Sequence, residues 1–552
     1  MIPHTFSPTP IPATVRPALS AILGLGMLPL LAPLSAGTWD GGGANAHWAT
    51  GQNWVGDVAP GTTEPLDFGS GFASGHTIYL KGSRVAHSLS FNSGLAPSLT
   101  FNGDSGLAQF PPGWLTLASG TLTAAYYAGN IVFDCDVYLS VRGHWTVADH
   151  ASVTVLRTLS GGEQTGFLKG GFLKDGDGEV IFQGTGTYVP LTTVGAGVLT
   201  VASSSALPAS GSVVVGRLGT GSTSGTLFIK SQVQASLSNL MVQNEGVVDG
   251  DYSAYGVAVA NLYLKDSAAV KTAVRGQNTL VSVQSGAKVK LLNGFNDFIG
   301  KTQVAENGRL TIQGVACLGK AGNAIELANN AELEVLNSNG AVDTTTRVVI
   351  PSATAAPNLF VRKSFGMKLE GPGTADFQPY QNTTLALTGA NPNFSGRILR
   401  SVDNLVAKAS GCLGNATEIR MGSGARLVLD AANPASATPI LRIASGGGLN
   451  PQNHTEQFGT LIVESGICVL ELSDDGSPCT TTFSGASFPY AGGKVEIKGW
   501  NGVVGGSASS TGDKVVVTQM LSPSALSRIK FNVGGQLKAA LQKPDGQLAR
   551  AE

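Results

Sequence analysis

Three similar phrases lie between Val283 and Val335: VQSGAKVKL at 283–291, VAENGRLTI at 304–312 and LANNAELEV at 327–335. Each begins with an apolar residue, has Gly or Asn three positions later, and has apolar residues at plus six and plus eight. A turn residue followed by alternating apolar and polar residues predicts a short strand after a tight turn. The copies begin 21 and 23 residues apart, and a repeat of this length indicates a solenoid.

The same repeat motif occurs elsewhere in the chain, with the plus-six and plus-eight positions predicted to fill the interior of the coils. About 22 residues per coil would give about fourteen coils between residues 131 and 430, with strands spaced ~4.8 Å apart. The five copies of the motif, each given as its first residue and its turn residue, are Val147/His150, Val283/Gly286, Val304/Asn307, Leu327/Asn330 and Met421/Gly424.

Composition supports an all-β fold and excludes some partners. Of the 552 residues, 74 are Gly, 42% are hydrophobic and only 13% are charged, which fits many turns between short strands rather than disorder. The net charge is −1, and the sequence has no long run of like charges that would attract nucleic acid. We therefore predict a right-handed parallel β-helix with β-rich caps at both ends.

Four segments are predicted along the chain. Residues 1–36 fit a secretory signal peptide, because an apolar run follows the lone charge of Arg16 and small residues follow the run. Residues 37–130 form a Trp-rich N-terminal cap with lead-in strands, and residues 131–430 form the β-helix repeats. Residues 431–552 form the C-terminal coils and cap, so we expect no transmembrane anchor in the mature chain.

The C-terminal segment departs from the repeat motif in two ways. Around Cys468 the pattern slips, because Cys468, Leu470 and Leu472 alternate instead of the expected positions. Farther on, the Ser-Pro-Ser sequence at Ser522 predicts the start of a helix. Both features indicate a distinct C-terminal cap.

Three tryptophans, Trp39, Trp48 and Trp54, lie in the turn-rich segment Gly37–Gly69. Aromatic rings in such a segment are candidates for stacking on glycans. The favoured interpretation is a cap that seals the first coil, whose strand edges would otherwise be open.

The opening TWDGGG, followed by HW, NW and VAP, resembles the start of secreted bacterial proteins of the autotransporter-associated β-strand repeat family. The resemblance implies a β-helical, secreted or surface-displayed protein without a characterised catalytic residue set. It covers a passenger-like part only, and we expect no translocator barrel. A second match, with a Gly-Gly-x-x-Lys-x-Gly-x-Gly start and a Gly-x-Leu-x-Val end, is carried by Gly170, Gly171, Lys174, Gly176, Gly178, Thr187, Tyr188, Gly197, Leu199 and Val201.

The phrase KDGDGEV contains the only metal candidates singled out in the sequence. Asp175, Asp177 and Glu179 alternate, and carboxylates on one strand face are possible Ca²⁺ ligands. The favoured interpretation is that these acids fill the polar turn of a repeat, so no metal site is predicted. No other cofactor is indicated.

Two histidines are candidates for catalytic groups. His144 and His150 lie close in sequence to Asp134 and Asp136, and a His with carboxylates can form an acid–base or metal site. His150, however, occupies the turn position of the repeat motif, which indicates a turn residue. We predict no catalytic residue.

The five cysteines do not follow metal-site spacing. Cys317 and Cys412 lie in similar phrases where another copy has Ala206, so a small buried apolar group is expected there. Cys468 and Cys479 are candidates for a disulfide in an oxidising compartment.

These observations predict a secreted or bacterial cell-surface protein that is non-catalytic and structural or adhesin-like. Its expected partners are extracellular glycans or other surface or matrix proteins. The alternative is a β-helical polysaccharide-binding or polysaccharide-degrading enzyme, a lyase or glycosidase, which needs clustered acidic or basic residues on one face of the coils.

Overall fold

In the computed structural model, each copy of the repeat motif forms a corner between two strands. The turn residue adopts a left-handed backbone conformation, which Gly and Asn tolerate better than other residues. The φ angles are 58° at His150, 71° at Gly286, 58° at Asn307, 53° at Asn330 and 74° at Gly424. The first, plus-six and plus-eight residues of all five copies are at most 1% exposed. The interior assignment is therefore confirmed.

The structure describes residues 36–69, 76–94, 98–103, 113–162, 171–209, 211–218, 222–251, 255–337, 343–378, 384–472, 478–501, 504 and 512–551. Apart from Ala36, the predicted signal peptide lies outside the described residues. Gly170, one residue of the second family-like match, lies outside them as well.

The fold is a parallel β-solenoid of about 17 turns, with 52% strand and 2% helix, which confirms the predicted fold class. Three sheets run along it. Sheet 1 has strands Gly37–Trp39, Leu66–Phe68, Arg84–Phe91, Trp114–Ala124, Asp136–Leu139, Gly143–Val147, Leu159–Gly161, Phe172–Asp175, Gly186–Tyr188, Leu191–Val194, Gly211–Val215, Ala235–Val242, Gly256–Leu264, Ala273–Arg275, Gln277–Val283, Ile299–Val304, Ala324–Leu327, Arg347–Val349 and Lys368–Glu370.

Sheet 2 contributes about one strand to each coil along the described chain. Its strands are His76–Tyr79, Ser98–Asn102, Gly129–Asp134, Ala151–Val155, Glu179–Phe182, Val198–Val201, Thr226–Ile229, Val247–Gly250, Ser267–Val270, Lys288–Leu291, Arg309–Ile312, Glu332–Val335, Asn358–Val361, Thr374–Gln378, Arg397–Arg400, Glu418–Met421, Ile440–Ile443, Glu456–Val463, Thr480–Ser487 and Lys514–Val517.

Sheet 3 belongs to the C-terminal part. Its strands are Ser364–Phe365, Leu385–Leu387, Leu405–Ala407, Arg426–Leu429, Gly448–Gln452, Ile467–Leu472, Lys494–Lys498, Ile529–Val533, Gln536–Gln542 and Leu548–Arg550. The described helices are short: 3₁₀ turns at Gly51–Asn53 and Val315–Leu318, and an α-helix at Pro523–Leu526.

Like residues stack on one another from coil to coil. In sheet 2, Val289 pairs with Leu310 of the next coil, which in turn pairs with Leu333. In sheet 1, Val283 and Val304 are in register in the same way. Parallel pairing satisfies the backbone of each coil through its neighbours, so the coils share one continuous apolar interior.

The cross-section of the solenoid changes near residue 365, well before the predicted segment boundary at 430. Sheet 3 begins at Ser364–Phe365, and the last strand of sheet 1 is Lys368–Glu370. The earlier copies of the repeat motif turn from sheet 1 into sheet 2, whereas the copy at Met421 turns from sheet 2 into sheet 3. The motif therefore specifies a corner, and the same local sequence serves at two different corners.

The register slip predicted near Cys468 is present in sheet 3. Cys468, Leu470 and Leu472 are at most 3% exposed, and the pairing with the preceding strand is irregular between Leu449 and Gln452. The predicted helix start is also present, because the Ser522 hydroxyl accepts a hydrogen bond from the Ala525 amide at 3.2 Å.

Both ends of the described solenoid are covered. At the N-terminal end, residues 45–54 lie over the first strand of sheet 2, where the Trp48 amide donates to the Tyr79 carbonyl at 2.9 Å. At the C-terminal end, strands Ile529–Val533, Gln536–Gln542 and Leu548–Arg550 pair antiparallel. Covering the ends protects strand edges that would otherwise pair with another chain.

Within the described residues, the structure has no helix with the length and hydropathy needed to cross a membrane.

The alternation of the strand Lys288–Leu291 yields a matched test. Leu291 is fully buried and Lys290 is exposed. We expect Leu291→Asp to destabilise the fold by about 3 kcal/mol or more, because it removes buried apolar contacts and places a carboxyl group in the interior. Lys290→Asp, next to it on the outer face, should change stability by less than about 1 kcal/mol. Urea-unfolding midpoints measure both effects, and equal losses would contradict the interior assignment.

Candidate functional site

The three tryptophans of the opening form part of the hydrophobic core. Trp39, Trp48 and Trp54 are 2%, 3% and 1% exposed. The ring of Trp54 packs edge-on against Trp39 at 5.0 Å and Trp48 at 5.3 Å, and its Nε1 donates to the Trp48 carbonyl at 2.8 Å. A sugar needs an open ring face, and these faces are covered by protein. The predicted glycan-stacking role is therefore dropped in favour of the cap.

The acids of KDGDGEV each have a separate structural role. Asp177 accepts hydrogen bonds from the amide and hydroxyl groups of Ser222 and Thr223, at 2.6 to 3.1 Å. These bonds, led by that of the Ser222 hydroxyl, lower the pKa of Asp177 below its usual range. Asp175 is 4% exposed and accepts from the Gly176 amide at 2.8 Å.

Glu179, the third acid, accepts a hydrogen bond from the Thr200 hydroxyl. Among the residues that the structure describes, no group of three His, Cys, Asp or Glu side chains is placed to hold a metal ion. The structure thus does not assemble the Ca²⁺ site considered from the sequence.

Lys174, which directly precedes these acids in the sequence, is fully buried. Its Nζ donates to the Ala196 carbonyl at 2.9 Å and to the Gly176 carbonyl. Burial lowers the pKa of Lys174 to about 7, against the opposing attraction of Asp175 and its neighbours. Gly197 has φ of 59°, and a Cβ there would collide with Nζ. The Lys and Gly residues of the family-like match are therefore parts of one packed corner.

The histidine candidates are dispersed. His144 Nε2 lies 3.8 Å from Asp175 Oδ2, whereas Asp134 Oδ1 pairs with Arg157 Nε at 2.8 Å. Asp136 Oδ1 accepts from the Thr158 amide at 3.0 Å. The structure does not bring the two aspartates and the histidines to one point.

All five cysteines are buried. Cys317 and Cys412 fill the interior as predicted, and burial raises the pKa of the Cys412 thiol to about 11. Cys468 is a free thiol, and burial raises its pKa to about 12. The proposed bond from Cys468 to Cys479 is therefore absent. Thiols with raised pKa values are poor nucleophiles.

A shallow open groove of about 680 Å³ lies where the corners of the coils meet the outer face of sheet 2. Parallel pairing places Asn130, Ser152 and Glu179 side by side on three successive strands. Thr200 and Phe228 belong to a second row of residues across the strands of sheet 2, and these two residues are also in register with each other. The polar and aromatic residues that line the groove are Asn130, Asp149, His150, Ser152, Asp177, Glu179, Thr200, Phe228 and Lys230.

Exposed aromatic rings adjoin this groove at His150. The ring of Tyr127 stacks on that of His150 with centroids 4.8 Å apart and an interplanar angle of 13°. Tyr126 packs edge-on against both rings, at 4.2 Å from Tyr127 and 5.3 Å from His150. Tyr126 and Tyr127 remain 49% and 55% exposed. Tyr127, like His150, has a left-handed φ, of 57°, and that is uncommon for a bulky residue.

The carboxylates of the groove are already engaged by neighbouring groups. Asp149 Oδ2 lies 3.3 Å from His150 Nε2, and Asp177 and Glu179 are bonded as described above. Lys230 is exposed at the far end. Asn130 and Ser152, which also line the groove, can exchange hydrogen bonds with hydroxyl groups, and the aromatic rings offer faces for stacking. These are the two contacts that sugars make with proteins.

Most of this groove was missed in the sequence. His150 was recognised as a turn residue, but Tyr126, Tyr127, Phe228 and Lys230 were not singled out. The available signal was a pair of tyrosines in a segment before a strand, where other coils have Gly or Asn.

Comparison with models of known protein families finds no match to this chain. Comparison with curated proteins finds no match either. The resemblance of the opening and of the Lys174 region to the autotransporter-associated repeat family stays a prediction.

Lys174 gives a prediction for pH dependence. Its pKa is about 7 in the folded protein against an ordinary 10.5, so the unfolded chain binds more protons between these values. Stability should therefore rise with pH from about 7 toward 10.5. From pH 7 to pH 9, we expect the unfolding free energy of wild type to rise by about 2 kcal/mol relative to that of Lys174→Met.

Urea unfolding at several pH values measures this difference. Lys290→Met, which removes an exposed ammonium group, is the matched control and should show no such shift. If the stability of Lys174→Met had the same pH dependence as that of wild type, the claim that Lys174 is buried with a lowered pKa would be wrong.

Proposed function

We propose that this protein is a secreted or surface-displayed, non-catalytic β-solenoid with a structural or adhesin-like role. The observation that carries the proposal is the use of outer charged groups to join neighbouring coils. Arg309 Nη2 lies 2.9 Å from Glu334 Oε2, and Arg347 Nη1 lies 3.2 Å from Glu370 Oε2. Such pairs brace the rod instead of converging on a substrate.

The same use of charge recurs in the C-terminal coils. Arg442 lies between Glu418 at 3.2 Å and Glu464 at 3.4 Å, and so connects three successive coils. Each exposed pair contributes little by itself, but charges arranged as a network contribute more. The covered ends add to this picture, because a chain with capped strand edges is protected from edge-to-edge aggregation.

Other sequence features agree with this role. The Trp-rich opening and the phrase around Lys174 resemble a family of secreted bacterial passenger-like repeat proteins. The apolar N-terminal segment supports export by a signal peptide, and hence a location outside the cell or at the bacterial surface. Glycans or other surface and matrix proteins are the partners that such a location offers.

The second candidate is a polysaccharide-degrading enzyme with a β-helical fold. The groove favours it to some extent, because Asp149, Glu179 and Lys230 line the same concave surface, and glycoside hydrolysis requires paired carboxyl groups. Against it stand the hydrogen bond from Thr200 to Glu179 and the contact between Asp149 and His150, which engage both acids internally.

A panel of neutral, acidic and amino-sugar polysaccharides separates the two candidates. We expect the purified full chain to release no reducing ends and no unsaturated uronate from any of them, while immobilised protein retains cells or matrix material. A Glu179→Gln variant is the control. Product release by wild type that is lost in Glu179→Gln would establish the enzyme and refute the non-catalytic proposal.

A further inference from the structure

We propose that the groove on sheet 2 binds an uncharged oligosaccharide, with sugar rings stacked on the Tyr127–His150 pair at one end and on Phe228 at the other. This inference rests on the adhesin-like form of the proposed function and assigns it a site and a ligand class. The groove crosses the strands from Gly129–Asp134 to Thr226–Ile229. Four strand spacings of ~4.8 Å give a length of about 19 Å, enough for a short oligosaccharide.

The rings of Tyr127 and His150 are placed where they can contact a ligand and where they contribute little to the stability of the fold. Other corner positions hold Gly286, Asn307, Asn330 or, at one corner, Glu245; Gly and Asn adopt the left-handed conformation at low cost. Tyr127 and His150 adopt the same conformation with large rings that point away from the core and remain about half exposed. Strained residues of this kind often occur at functional sites.

Stacking geometry gives the platform one usable face. The His150 ring covers one face of Tyr127, and Tyr127 as a whole remains 55% exposed, so we infer that a ligand can reach its opposite face. Tyr126, packed edge-on against both rings, limits their motion. A rigid and amphipathic aromatic surface loses little conformational entropy when a ligand stacks on it.

The polar middle of the groove matches hydroxyl groups better than charges. Asn130 and Ser152 are joined by a hydrogen bond of 3.0 Å and present amide and hydroxyl groups beside Glu179. A polyuronate would meet Asp149, Asp177 and Glu179 and be repelled. An amino-sugar polymer would be attracted by these charges, but its ammonium groups would have to compete with the Ser222 and Thr223 groups that already donate four hydrogen bonds to Asp177. An uncharged sugar can bind without an unpaired charged side chain in the groove.

Calorimetry with the purified full chain tests the assignment. The uncharged probes are cellohexaose and the hexamer of N-acetylglucosamine, and the charged probes are the hexamers of galacturonic acid and of glucosamine. We expect at least one uncharged probe to bind more tightly than both charged ones, with little dependence on salt. Tighter binding of a charged probe, or no binding of any uncharged probe, would overturn the proposal.

The variants use residues that suit the local backbone. In the double variant Tyr127→Asn/His150→Asn, asparagine takes the left-handed conformation that it already has at 307 and 330. Phe228→Thr places Thr beside Thr200, its in-register neighbour. We expect the double variant to bind at least tenfold more weakly and Phe228→Thr to bind severalfold more weakly, each with an unchanged melting temperature. Tyr490→Ala, which removes a ring that is 63% exposed on another coil, should bind like wild type.

The outcomes separate this inference from the function on which it rests. If wild type retains cells or matrix material but the double variant does so equally well, the groove is not the site, while the adhesin-like role stands. If the probes are cleaved by wild type and left intact by Glu179→Gln, the non-catalytic role fails, while the groove remains the sugar site. Equal affinity of wild type and both groove variants for the uncharged probes overturns the inference.

Discussion

Parallel pairing between successive coils is the constraint on which the rest of this structure depends. A coil obtains its backbone hydrogen-bond partners from the coils before and after it, so its strands must stay in register with theirs. Register in turn stacks Val289 on Leu310 and Leu310 on Leu333, and a one-residue slip would turn every inner side chain outward. The coil therefore has to turn at a fixed point, which a left-handed residue provides at each corner.

This constraint explains why the sequence predicts the coils well. The turn residue and the two apolar positions after it are local features, separated by three, six and eight residues, so a single sequence reveals them. Their burial and backbone conformation agree at all five copies, from Val147 to Met421. The slip near Cys468 was also visible, because alternation within one strand is local.

Features that depend on the stacking of distant residues were not accessible in the same way. The repeat motif at Met421 is indistinguishable in sequence from the one at Val304, yet it connects a different pair of sheets, because the cross-section has changed near residue 365. The groove joins Tyr127 to Phe228, about a hundred positions apart in the chain, and only the stacking of coils makes them neighbours. The tryptophans left two interpretations in the sequence, an exposed platform and the favoured cap. Packing onto Phe68 and Phe101 buries the three rings and agrees with the cap.

The corner is also the place where stability and binding can be separated. In a repeat protein, the free energy of unfolding is close to the sum of the stability of each coil and the contacts between neighbouring coils. At a corner, these contributions come from the left-handed backbone and from buried neighbours such as Ala151, which is 5% exposed. The side chain of the turn residue itself points outward and contributes little to them. A corner can therefore carry Gly, Asn, His or Tyr without a change of fold. When successive corners carry rings, as at Tyr127 and His150, parallel stacking brings the rings together, so the same register that builds the core also builds an aromatic surface on the outside of the rod.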